Sequence, residues 1–114
     1  MENSGITGKN EVSEKKFYSL LGLSQRGGHM ASGEFMTEKA VKGRKAHLVI
    51  VSEEASDNTK KKFSNMCSFY EVPLYFYETM EELGHCIGKT FRASLAVTSE
   101  GLAKSIISKL ECGQ

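Results

Sequence analysis

The chain has 114 residues, 39% hydrophobic and 25% charged, enough for one domain with a buried core. No apolar run approaches the roughly 18 residues of a membrane span, so no membrane partner is expected. Fifteen Lys and Arg against fourteen Asp and Glu leave a net charge of +1, so global charge selects no partner.

The opening "MENSGITGKNEV" lacks the apolar stretch of a signal peptide and reads as a flexible tail over 1–12, ahead of a single domain over 13–112. Phe17, Leu20 and Leu21 repeat at i, i+3, i+4, which predicts a first helix over 13–23 with Ser13 as cap and Gly22 as its end. After a glycine-rich link, Met30 and Ala31 suit a short strand. Ser32 or Gly33 then caps a second helix running to Lys42, with Gly43 behind it.

"AHLVIV" (46–51) is continuously apolar and β-branched, as a strand covered on both faces would be. Ser56 starts a third helix that turns Phe63, Met66, Cys67 and Tyr70 inward. "LYFY" (74–77), after the single proline Pro73, reads as another buried strand. Thr79 and Glu82 form a capping box for a fourth helix with Met80, Leu83 and Ile87 inward. "ASLAVT" (93–98) is a further central strand, and Ser99 caps a last helix with Leu102, Ala103, Ile106, Ile107 and Leu110 on one stripe. Helices alternating with short buried strands specify an α/β fold, a three-layer α-β-α sandwich, with 48–51, 74–77 and 95–97 expected at the sheet centre.

Signatures of catalysis are scarce. There is no GxxxxGK[ST] phosphate loop, no GxGxxG after a strand, no GxSxG and no HExxH. Cys67, Cys86 and Cys112 are odd in number and form no CxxC pair, against a disulfide framework or zinc site and for a reducing, cytoplasmic setting. His47 lies within a strand as a core or edge residue, and His85 is adjacent to Cys86 on a helix, where neighbours diverge. No catalytic residue, metal or cofactor is expected.

Charge is segregated along the chain. Arg26, Lys39, Lys42, Arg44 and Lys45 face only Glu34 and Glu38 in the same stretch, and Lys89 and Arg92 lie in an acid-free one, whereas 71–82 holds four acids and no base. Solvated helix faces give similar clusters, so the pattern alone decides nothing. A helix started by glycine adds unpaired backbone N–H groups that suit a phosphate. The loop "GKTFRA" (88–93) is expected to end beside that helix start, offering Lys89, Thr90, Arg92 and the aromatic ring of Phe91. Cations for phosphates beside a ring for stacking favour distorted or unpaired RNA over a DNA groove.

"SGEFMTEKAVKGRKAHLVIVSEEAS", followed by "CSFYEVPLYFY", "LGHCIGK" and "SLAVTSEGLAKSI", resembles the ribosomal-protein superfamily of kink-turn RNA binders of the L7Ae type, in its small bacterial YlxQ-like branch. The resemblance covers about residues 14 to 110. It implies a four-stranded mixed sheet and a small, monomeric, non-catalytic protein that binds kink-turn-like RNA, including ribosomal RNA. It also implies an RNA site made by the loop into the second helix, that helix's start and the loop before the last strand. Carried over by position, that site takes in Ser32, Gly33, Glu34, Phe35 and Lys39 on the first element, and the surrounding basic stretch adds Arg26, His29 and Lys42 as candidates. On the second it takes in Gly88, Lys89, Thr90, Phe91 and Arg92. Many members of that family carry Gly-x-Asn-Glu where this chain, counting from Gly33, has Phe35 and Met36. The expected substitute for the missing polar pair is Glu34 as acceptor from a guanine edge, with Phe35 or Met36 packed on the core or against a base. A protein–protein adaptor, with Phe35, Met36 and Phe91 as an apolar docking patch, is the alternative reading. A nucleotide-handling enzyme is disfavoured by the missing phosphate loop.

Overall fold

The computed structural model describes residues 4–112, with side chains over 15–111. Nine elements follow in order: α1 (Ser4–Arg26), β1 (Met30–Ser32), α2 (Glu34–Lys42), β2 (Leu48–Val51), α3 (Asp57–Tyr70), β3 (Leu74–Phe76), α4 (Met80–His85), β4 (Ser94–Val97) and α5 (Glu100–Cys112). The four strands form one mixed sheet in the order β1-β4-β2-β3, with β4 antiparallel to both β1 and β2, and β3 parallel to β2.

The period of two in the strands divides the core into layers. Leu48 and Ile50 of β2 and Leu95 and Val97 of β4 pack with Phe17 and Leu21 of α1, Leu83 of α4 and Ile106 of α5. Val49, Val51 and Ala96 point the other way, onto Val41 of α2 and Phe63 and Cys67 of α3. Both β2 and β4 are buried along their whole length, which accounts for their unbroken apolar sequence. The α-β-α sandwich is therefore as the sequence pattern specifies. Local caps also follow the side chains: Ser56 Oγ accepts from the Thr59 N–H at 3.1 Å, Thr79 Oγ1 from the Glu82 N–H at 3.1 Å, and Ser99 Oγ from the Leu102 N–H at 3.3 Å.

Two elements differ from the sequence pattern. The first helix begins at Ser4, inside the stretch expected to be a tail, and passes through Gly22 to Arg26. Residues 1–3 lie outside the described residues. Gly22 is a contact point instead of a terminator, since a Cβ there would sit 3.3 Å from the Cys86 carbonyl oxygen. The helix ends at Arg26, four residues on. There Gly28 takes φ +76°, its N–H donates to Gln25 O at 3.2 Å, and the His29 N–H donates to Ser24 O at 2.8 Å, a Schellman motif. The second difference is β3, which lies at the sheet edge, not its centre. Leu74 and Tyr75 are half-buried and Phe76 is exposed, because only β2 flanks this strand.

Candidate nucleic-acid interface

Strand register brings one set of loops together. Ser32 pairs with Leu95, and Val51 with both Ser94 and Phe76, so the chain leaving β1, leaving β2 and entering β4 meets at one end of the sheet. Gly33 N–H donates to Ser94 O at 2.9 Å across that end. At φ 89° and ψ 160° this residue holds a conformation that essentially only glycine adopts. The turn aims α2 outward with no side-chain cap, and its first internal bond is Thr37 N–H to Gly33 O at 2.9 Å. The N–H groups of Glu34, Phe35 and Met36 precede that bond and point along the axis with the positive end of the helix dipole.

The second element is tied to the first. Residues 88–92 fold over α4, with Lys89 N–H donating to Gly84 O at 2.8 Å and Arg92 N–H to Met80 O at 3.0 Å. The loop lies so close that a Cβ on Gly84 would meet Thr90 O at 2.3 Å. Arg92 then reaches β1: its Nε donates to Ser32 Oγ at 3.3 Å while Nη1 donates to Phe91 O at 2.6 Å. Lys89, Thr90 and Phe91 are left exposed, Phe91 at 63%. Phe35 and Met36 are exposed at 73% and 46%, so neither packs on the core.

Not every positive charge is available. Lys62 of α3 pairs with Glu34 at 3.0 Å and Glu38 at 2.6 Å, and Glu38 also holds Lys42 at 2.7 Å. Hydrogen bonds from Lys42 and Lys62 hold the Glu38 carboxyl below its usual range, and those from Glu38 and Glu34 raise Lys62. Among the described residues no carboxylate pairs with Lys39 or Lys89.

The structure therefore gathers Ser32, Gly33, Glu34, Phe35, Gly88, Lys89, Thr90, Phe91 and Arg92 at one end of the sheet, with Lys39 one turn further along α2. It does not bring the remaining expected residues there. His29 sits at the opposite end of β1, three strand residues or about 10 Å away. Arg26 lines a depression between α1 and α4 with Tyr18, Glu82 and His85. Lys42 lies at the far end of α2, already paired with Glu38. Lys62, by contrast, enters the site through its grip on Glu34. Its signal was the run Lys60, Lys61, Lys62, which the core pattern of α3 overshadows.

Chemistry beyond binding has little material. Burial pushes the Cys67 and Cys86 thiols up to about 11, away from nucleophilic use. Among the described residues no three His, Cys, Asp or Glu are placed to hold a metal ion, and no helix is long and apolar enough to cross a membrane.

The fold and site define a small α-β-α sandwich that presents a glycine-set helix start, unpaired lysines and bare aromatic rings on one end of its sheet. Residues 15–107 match the ribosomal protein L7Ae/L30e/S12e/Gadd45 family, and the chain belongs to it. It is 39% identical over 100 residues to the RNA-binding protein YlxQ of Bacillus subtilis, covering 88% of this chain and all of that one. It is 35% identical over 102 residues to the RNA-binding protein YlxQ of Enterococcus faecium, covering 90% and 98%. Among solved structures, a Bacillus halodurans protein of unknown function superimposes with a TM-score of 0.82 at 33% identity, over 84% of this chain and 97% of that one. The Giardia lamblia 15.5kD RNA binding protein gives a TM-score of 0.74 at 19% identity over 90% of each chain, a likeness of fold.

Proposed function

We propose that this chain is a small, non-catalytic, cytoplasmic RNA-binding protein that recognises kink-turn-like structured RNA, in association with the ribosome. The observation that carries the reading is the Arg92–Ser32 contact, which locks the loop bearing Lys89 and Phe91 against the uncapped start of α2. The N–H groups of α2 take a phosphate at the bend, Lys39, Lys89 and Arg92 meet neighbouring phosphates, and the exposed rings meet unstacked bases. The names of the two YlxQ relatives support RNA as the partner.

The test is a mobility-shift titration of a kink-turn RNA at several salt concentrations, with the parent and the triple variant Lys39→Ala, Lys89→Ala, Arg92→Ala. Each lost phosphate contact removes about 0.9 from the slope of log K against log salt, so the triple variant should lose roughly 2 to 3. An unchanged affinity and slope would place the site elsewhere. A protein–protein adaptor is the second reading, favoured by the exposure of Phe35 and Phe91 at 73% and 63%. It predicts no salt-dependent RNA shift from the parent at all.

A further inference from the structure

The RNA site lies at one end of the sheet, yet Lys45 sits at the other, beside the start of β1. A groove over the free edge of β1 joins the two. Its walls include Met30 and Ala31 of β1, Met36 and Lys39 of α2, and Lys45 beyond it. Met36 belongs to the first turn of α2, so the groove opens from the proposed site itself.

Charge separates this groove from its neighbour across α2. The neighbouring groove is lined by Phe35, Glu38, Lys39 and Lys42, and its acid already neutralises Lys42. No acidic residue lines the groove over β1. Among the described residues neither Lys39 nor Lys45 is paired with a carboxylate. Arg44, the residue before Lys45, is turned away at φ 60° and stacks over Tyr70 at 5.1 Å. The result is an apolar floor of Ala31 and Met36 with two unpaired ammonium groups along it, which offers cations for phosphates beside an apolar surface for base faces.

We propose that an unpaired RNA segment continuous with the structured element runs along this groove from Met36 to Lys45. From Met36 to Gly43 the helix wall is about 10 Å long, the span of about three stacked nucleotides at roughly 3.4 Å each. Lys45 takes a phosphate of this segment, next to the one that Lys39 holds in the structured element, and the bases lie on Ala31 and Met36. The inference rests on the RNA reading above and extends its footprint to the opposite end of β1.

The test measures fluorescence anisotropy with the full chain and a kink-turn RNA, either blunt or carrying a three-uridine tail at the 5′ or 3′ end of either arm. One further phosphate contact on single-stranded RNA, at Lys45, adds about 0.7 to the salt slope. Between about 50 and about 200 mM salt the right tailed RNA should therefore lose about 2.6-fold more affinity than the blunt one. Lys45→Ala should abolish that excess and leave blunt-RNA binding unchanged. If no tail changes the salt dependence, or Lys45→Ala leaves the tail effect intact, the groove path is wrong while the RNA reading stands. If neither blunt nor tailed RNA binds, both fall.

Discussion

Gly84→Ala perturbs the interface without removing any side chain that would touch RNA. Gly84 is buried in α4, and a Cβ there would sit 2.3 Å from Thr90 O, 2.6 Å from Thr90 C and 3.0 Å from Phe91 N. All three are backbone atoms, so no flexible side chain can swing aside. The loop must retreat by about 1 Å to regain ordinary contact distance. Overpacking of this kind costs about 1–3 kcal/mol, set against up to about 1 kcal/mol that alanine gains over glycine inside a helix. A net loss of about 1–2 kcal/mol lowers Tm by about 4–10 °C for a chain this size. The same retreat pulls Arg92 from Ser32, already at the long limit of 3.3 Å, and carries Lys89 and Phe91 out of register with α2. RNA affinity should fall about tenfold, or about 1.4 kcal/mol. Calorimetry reads the first effect and anisotropy with kink-turn RNA the second. An unchanged Tm would refute the packing argument. A lowered Tm with unchanged affinity would show that the loop's position is irrelevant to RNA.

Three further outcomes follow from the same geometry. Glu34 pairs with Lys62 while half-exposed, a contact worth at most about 1 kcal/mol, against about 1–3 kcal/mol for a base contact, so RNA can displace the lysine. Glu34→Ala and Glu34→Gln should each narrow the difference in Kd between an intact kink-turn and one with disrupted G·A pairs; full discrimination by both variants would assign Glu34 to Lys62 alone. Thr37 Oγ1 is buried with no partner, so the isosteric Thr37→Val removes an unpaired hydroxyl and should raise stability by about 1 kcal/mol, seen as a higher Tm; a clear drop would show that the hydroxyl is satisfied in solution. Because burial lifts Cys67 and Cys86 to about 11, alkylation followed by peptide mapping should be slow at pH 8 and accelerate only toward pH 11, where thiolate forms. Rapid labelling of Cys67 in the folded protein at pH 8 would contradict its burial.

Local chemistry was legible in the sequence wherever it decides structure by itself. Ser56, Thr79 and Ser99 cap their helices because a hydroxyl needs only its own next turn. Runs 48–51 and 95–97 read as central strands because their apolar, β-branched character suits a strand covered on both faces. What escaped depends on a distant partner. Gly22 reads as a helix end until Cys86 is seen packed against it, and the aromatic 74–77 reads as central until β2 proves to be its sole neighbour. The site divides in the same way. Gly33 and the loop 88–92 were visible from glycine placement and charge, but the Arg92–Ser32 bridge and the Lys62–Glu34 pair span 60 and 28 residues. Arg26 and His29 looked near Gly33 in sequence, and the length of β1 separates them from it.

The most direct measurement is isothermal titration of the parent chain with a kink-turn RNA and with the same RNA carrying disrupted G·A pairs, at one fixed salt concentration. Kink-turn recognition predicts binding of the intact element and weaker binding of the disrupted one. That difference should be carried by the bent backbone and by Glu34, because Phe35 and Met36 supply no side-chain hydrogen bonds to a guanine edge. Equal affinity for the two RNAs would contradict kink-turn recognition. Absence of heat and of complex with either would contradict RNA binding at the start of α2.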